Sequence, residues 1–316
     1  MAQPRAEARE RIAVVGATSP AGGHVRAALA ERRVSGSRVE LFGHGRDVAV
    51  LSEYDGEARI VQPATELDAH GFAALFVCEA GHDAGALAAA VRSGSVVVDL
   101  SGTLDGPVVA IPHPLTLLVE PLLAALHRAL GITDASVFVM RPASDFGESG
   151  LEELREQTVH LLRFEPTPTE IFGRQLAFSV IPEHLFPSGE ERAGARIAAD
   201  CRSLLGSAAM PLSVSLALVP TFLGHAIALH VGVAHGDAAA ARNALAGVSG
   251  LVLAEDSEES GTTLDAPESA GLSSVRVEDA GAGRLRLWAI GAEPGALAAE
   301  RAMAAASDAG VLVNVS

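Results

Sequence analysis

Lysine is missing from all 316 residues, so every fixed cation is an arginine; with alanine and glycine so abundant, this reflects coding bias. Acidic residues outnumber basic ones 39 to 23, giving a net charge of −16. The arginines form no basic patch and no cluster with aromatics, which make up only 4% of the chain. Nucleic acid and anionic membrane surfaces are therefore not expected partners. Only two cysteines occur, Cys78 in an apolar strand-like run and Cys201 in a helix-like run. That placement leaves no disulfide framework, points to a reducing compartment, and suits buried inert thiols better than nucleophiles. No apolar run reaches the ~20 residues that span a bilayer without glycine, proline or charge. The opening MAQPRAEARER is charged and lacks the apolar centre of a signal peptide. A cytoplasmic protein is expected.

What is present is enough for two cores: 49% of the residues are hydrophobic, and the length suggests two domains. Residues 11–15 read as a strand, followed by GATSPAGG and a helical stretch over 25–33. Further strands are predicted at 38–42, 73–77 and 95–100, with an alanine-rich helix over 84–92. This alternation predicts a parallel, Rossmann-like α/β domain over 1–131, rejoined by a C-terminal helix within 295–316. Residues 132–294 do not alternate in this way. ASVFVMRPAS reads as a strand, GLEELREQTVHLL as an amphipathic helix and RQLAFSVIPE as extended, with a helix over 190–205. The long run 212–234 reads as β-structure broken near Pro220, and Asp237 is placed to cap a helix over 238–246. An α+β domain with a mostly antiparallel sheet is expected. Residues 254–271, acidic and serine-rich, read as a surface loop.

Three stretches carry chemical meaning. Gly16, Ala17, Thr18, Ser19, Pro20, Ala21 and Gly22 lie between a strand and a helix, the context in which a glycine-rich turn binds a dinucleotide. The middle glycine is replaced by Ser19, and Gly43 stands where an acidic residue would hold a ribose hydroxyl; Arg46 is placed to meet a 2′-phosphate instead. A tight βα turn kept for packing alone is the competing reading. His225, His230 and His235 are spaced by five, which puts neighbours on opposite faces of a strand, so no metal site is expected. His225, after Gly224, is the candidate general base, against a structural role. Finally, VVAIPHPLTLLVEPLLAAL runs from a strand at 108–111 through Pro-His-Pro into a helix start that would favour an anion or thiolate, yet carries Pro114 where a reactive residue is expected.

These segments, in this order, resemble the aspartate-semialdehyde dehydrogenases. IAVVGATSPAGG looks like the opening strand and glycine turn, and DFGESGLEELREQT like Ser-Gly-Ala-Gly-x-x-Gly-x-Glu-Glu-Leu. AFSVIPE is similar to Phe-Asn-Val-Ile-Pro, VPTFLGH to Val-Pro-Val-x-x-Gly-His, and LRLWAIG to the closing Leu-x-Leu-Trp strand. The resemblance implies reductive dephosphorylation of aspartyl phosphate with NADPH, through a cysteine thioester, a histidine acid/base and arginine clamps. Carried over residue by residue, Pro-Asn-Cys-(Ser/Thr)-Thr falls on Pro112 to Thr116, so the nucleophile position is Pro114. The neighbouring glutamine falls on Arg141 and a clamp arginine on Leu218, while the phosphate-binding arginine and the nicotinamide-steadying asparagine have no counterpart. His225 keeps the acid/base identity, and Arg196 falls near a substrate-side basic position.

The expectation is a homodimer, similar to the Usg-type proteins, that has lost the dehydrogenase reaction and binds a dinucleotide or a protein partner, with NADP held weakly or not at all. An active oxidoreductase with an altered site and a ligand-free structural dimer are the alternatives.

Overall fold

The computed structural model describes residues 11–68, 71–81, 84–187, 192–254, 261–267 and 271–312. The chain divides into two compact units, Met1–Pro112 with Gly295–Ser316, and His113–Pro294. In the first unit the elements are β1 (Ile12–Val15), α1 (Pro20–Glu31), β2 (Val39–Gly43), β3 (Leu51–Tyr54), β4 (Glu57–Ile60), β5 (Gln62–Pro63), β6 (Ala74–Val77), α2 (Ala84–Arg92), β7 (Val96–Asp99) and β8 (Val109–Ala110). Six strands form a parallel sheet in the order β5-β2-β1-β6-β7-β8. Every residue of β1 and β6 is buried, as expected of parallel strands covered on both faces. β3 and β4 pair as a separate antiparallel hairpin. The sequence pattern did not foresee it, because only Tyr54 turns inward while Leu51 and Ile60 face solvent.

The second unit opens with α3 (Pro114–Leu130), then β9 (Ile132–Arg141), α4 (Gly147–Leu162), β10 (Ile181–Pro182), α5 (Ala193–Leu204), β11 (Leu212–Leu218), β12 (His225–Val233), α6 (Ala238–Leu245), β13 (Leu251–Leu253), β14 (Leu272–Asp279) and β15 (Arg284–Gly291). The closing helix α7 (Pro294–Asp308) returns to the first unit from Gly295 onward. The seven strands are ordered β10-β11-β9-β12-β15-β14-β13. Four of the six pairings are antiparallel; β11 with β9 and β13 with β14 are parallel.

Helix α3, expected with the first domain, belongs to the second unit because its apolar face packs on α5, α6, β9 and β12. Gly131 ends it in the left-handed conformation at φ +66°, and the Asp237 carboxylate caps α6 by accepting the Ala240 amide at 2.9 Å. Of the stretch RQLAFSVIPE, predicted as extended, only Ile181 and Pro182 form a strand. The preceding chain is instead tied to α4 by Gln157, whose side chain accepts from the amides of Leu176 and Ala177 and donates to the carbonyls of Pro168 and Arg174. The start of the helix predicted over 190–205 and most of the loop predicted over 254–271 lie outside the described residues.

Alternation along the strands gives the sheet a packed face and an open one. Val137, Val139, Ile227, Leu229, Val231, Leu285 and Leu287 are buried. Ser136, Phe138, Ser213, Ser215, His230 and Arg286 are exposed on the other side. Most apolar side chains of β11 and β12 thus belong to the internal core, while Phe222 and Leu223, in the break between the two strands, are exposed.

Candidate functional site

In the first unit the glycine turn joins β1 to α1. Gly16 sits at φ +77°, where a Cβ would lie 2.6 Å from Glu79 Cβ, and a Cβ on Gly22 would lie 2.2 Å from the Gly16 carbonyl oxygen. Both glycines are therefore needed for the turn itself. Ser19 caps α1: its Oγ accepts the Gly22 amide at 3.1 Å and donates to the Gly16 carbonyl at 2.7 Å. Pro20 follows at the first helical position and has no N–H to give. Two donors that a helix start could offer a phosphate are in this way spent or absent. The Glu79 carboxyl, its pKa raised by burial and by Asp47, stands beside the turn. The Arg46 side chain lies outside the described residues.

The second unit gathers a different set of groups. The antiparallel register that pairs Ala226 with Met140 brings His225, the first residue of β12, opposite Arg141, the last of β9. On either side, Leu218 pairs with Arg141 and Gly291 with His225. A Cβ at Gly291 would lie 2.8 Å from Leu118 Cδ1, so the bare glycine lets α3 approach this row. Asp145, on the short turn Ala143–Phe146 that follows β9, bridges the two: Arg141 Nε donates to Oδ2 at 2.5 Å and His225 Nε2 to Oδ1 at 2.8 Å. All three side chains are buried, His225 completely. The Arg141 guanidinium also lies over the rings of Phe146 and Phe186. Burial alone would raise the Asp145 pKa, but His225 and Arg141 overcome it and hold the carboxyl well below its ordinary range. An ionised carboxylate only accepts, so Nε2 carries a proton; Nδ1 of His225 is buried and has no hydrogen-bond partner among the described residues.

The start of α3 lies within reach of these charges. His113 is the N-cap, its Nδ1 accepting the Leu115 amide at 3.2 Å. Burial first, then Arg141 and Arg196, push its pKa down to about 3, so the ring is neutral with its proton on Nε2. Asp200 on α5 accepts from the His113 amide at 2.8 Å and from Thr116 Oγ1 at 3.3 Å. Arg196 Nε stands 3.9 Å from the same carboxylate oxygen. A helix N-terminus suited to an anion is thus supplied with one by the chain itself, and Pro114 at the first helical position brings no nucleophilic atom.

The structure brings His225, His113 beside Pro114, Arg141 and Arg196 into one electrostatic neighbourhood. His230 faces the opposite side of β12, as the spacing of five requires. Cys78 and Cys201 are free, buried thiols; burial pushes both pKa values up, that of Cys201 to about 12. Sequence reasoning missed Asp145, Asp200 and the capping role of His113. One signal for Asp145 was there: the segment it resembles has glycine at that position and glutamine at Arg141, so two opposite charges enter four residues apart.

Comparison with known proteins agrees with this architecture. The family model for the semialdehyde dehydrogenase dimerisation domain matches residues 123–291, more than half of the chain. The aspartate-semialdehyde dehydrogenase of Vibrio mimicus is 26% identical over 70% of this chain and 78% of its own length. The USG-1 protein homolog of Azotobacter vinelandii is 27% identical over 77% and 80%. The solved structure of aspartate semialdehyde dehydrogenase II from Vibrio cholerae, complexed with ASA, superposes with a TM-score of 0.78 at 23% identity, covering 96% of this chain and 98% of that one. With the dimerisation-domain model matched over more than half of its length, the chain belongs to the semialdehyde dehydrogenase family.

Proposed function

We propose that this protein is a family member that has given up thioester chemistry and acts by binding, as a homodimer built on the second unit. The observation that carries the reading is the helix start at Pro114. Where the resemblance implies a thiolate there is an imino acid, and the His113 and Leu115 amides and the Arg141 and His225 N–H groups are taken up by Asp200, His113 and Asp145. Losing a covalent nucleophile costs many orders of magnitude in rate. An assay with aspartate semialdehyde, phosphate and NADP is expected to stay at background for wild type and for Pro114→Cys alone. Sustained phosphate-dependent NADPH formation by the pure protein would establish the alternative, an active oxidoreductase with an altered site.

For NADP, which the resemblance implies, the glycine turn keeps its shape but does not fit a tightly held dinucleotide. Ser19 takes a donor that a pyrophosphate would use, and Glu79 places a carboxyl beside Gly16. Calorimetry is expected to give a dissociation constant of ~0.1 mM or weaker, about −5 kcal/mol. The open sheet face, with Phe138 38% exposed beside a row of serine, alanine and histidine, supports self-association in the domain that the family model describes as the dimerisation domain. Light scattering at micromolar concentration should give about twice the chain mass.

A further inference from the structure

We infer that Arg141 and His225 form a carboxylate-binding subsite which the chain fills with its own Asp145. The arrangement is that of a bound carboxylate rather than of a surface ion pair. Each oxygen of Asp145 meets a different donor, Oδ2 the Arg141 Nε–H and Oδ1 the His225 Nε2–H. The donors come from neighbouring strands, whose register places them side by side. The Arg141 guanidinium lies over the rings of Phe146 and Phe186, and His225 is fully buried in β12. The acceptor comes from the turn Ala143–Phe146 that follows β9, which is pinned where the Ala143 and Ser144 amides donate to the carbonyls of Thr221 and Phe222. The carboxylate is in effect a ligand on a tether, delivered to two donors that the sheet has already positioned.

Cutting that ligand off should convert the self-filled subsite into an open one. In Asp145→Ala the Arg141 Nε–H and the His225 Nε2–H would remain buried with their shared acceptor gone, a costly arrangement that an external carboxylate relieves. The volume vacated is that of one carboxylate, since alanine keeps the Cβ, so the fitting ligand is the smallest monocarboxylate, formate. In the intact chain Asp145 competes at the effective concentration of a tethered group, and formate is excluded. The inference rests on the geometry of these three residues and holds whether or not the dehydrogenase reaction has been lost.

The test uses the full chain and sodium formate. Thermal unfolding of Asp145→Ala is followed against increasing formate, with sodium chloride at equal ionic strength as the control, and binding is checked by calorimetry. The expected result is a lowered Tm that formate raises saturably by several degrees in the millimolar range, with one site per chain and no such response from wild type. Adding Arg141→Ala to the variant should abolish the response. Asp145→Ser, which keeps a polar group in the turn, is carried alongside so that a folded variant is at hand. A formate response no larger than that of chloride in both variants, or an equal response from wild type, overturns the inference.

Discussion

Asp200 and His113 meet at the start of α3, where the Asp200 carboxylate accepts the His113 amide at 2.8 Å. The same oxygen accepts from Thr116 Oγ1, so one side chain of α5 serves two donors of the first turn of another helix. Asp200→Ala should leave a half-buried amide and a buried hydroxyl without this acceptor, costing about 1 to 2 kcal/mol. Thermal unfolding is expected to show a Tm lower by a few degrees. An unchanged Tm would show that water replaces the carboxylate at no cost.

The His113 ring makes stability depend on pH. Its folded-state pKa of about 3 lies below the ordinary histidine value of 6.5. Between those values the unfolded chain binds a proton that the folded chain refuses. The contribution is therefore complete above the unfolded pKa and is lost as pH falls from about 6.5 towards 3, with a slope of up to ~1.4 kcal/mol per pH unit. Asp145, depressed below its ordinary value, adds a loss of the same sign at still lower pH. His113→Asn keeps a side-chain cap without the titration. Denaturant unfolding of that variant at pH 7, 6, 5 and 4 should give a flatter profile than wild type.

Gly22 is a steric requirement independent of any ligand. With a Cβ 2.2 Å from the Gly16 carbonyl oxygen and 2.8 Å from backbone atoms of Ala17, Gly22→Ala must push α1 away from β1. The expected cost is ~1 to 3 kcal/mol, the range for overpacking a close backbone contact. Denaturant titration measures it, and a neutral result would mean that the turn has slack not visible in its geometry.

Gln157 is fully buried and makes four hydrogen bonds, described above, to the chain between Pro168 and Ala177. Gln157→Leu should cost at least ~2 kcal/mol through the buried backbone groups left unpaired. It should also open residues 163–180 to limited proteolysis while the cleavage pattern elsewhere stays as in wild type. Equal protection of that segment in the variant would mean that Glu153, which accepts the amides of Ile171 and Phe172, holds it alone.

Much of this molecule is written in local rules. The periods of two and 3.6 located β1, β2, β6, β7, α2, α4, β11 and β12. The turn at Gly16 to Gly22 was legible because only glycine suits its backbone, and the Asp237 cap because a carboxylate three residues ahead of an amide reaches it. The spacing of five between His225 and His230 settled by parity alone that they face opposite ways. That position 114 offers no nucleophile was likewise readable, since a proline carries no reactive atom wherever it sits.

Tertiary structure decided what depends on residues far apart in the chain. Asp145 and His225 are eighty positions apart and Asp200 lies eighty-seven beyond His113, so no periodicity could pair them. Strand register did so, by setting β12 against β9 and α3 against α5. Register also decided that the apolar residues of β11 and β12 turn inward, and packing that α3 joins the second unit. The sequence alone located most of the elements and put a proline at the start of α3, because those follow from backbone geometry and side-chain chemistry residue by residue. Only the folded chain determined what surrounds that proline, because a buried charge is accounted for by whatever partners the packing brings to it.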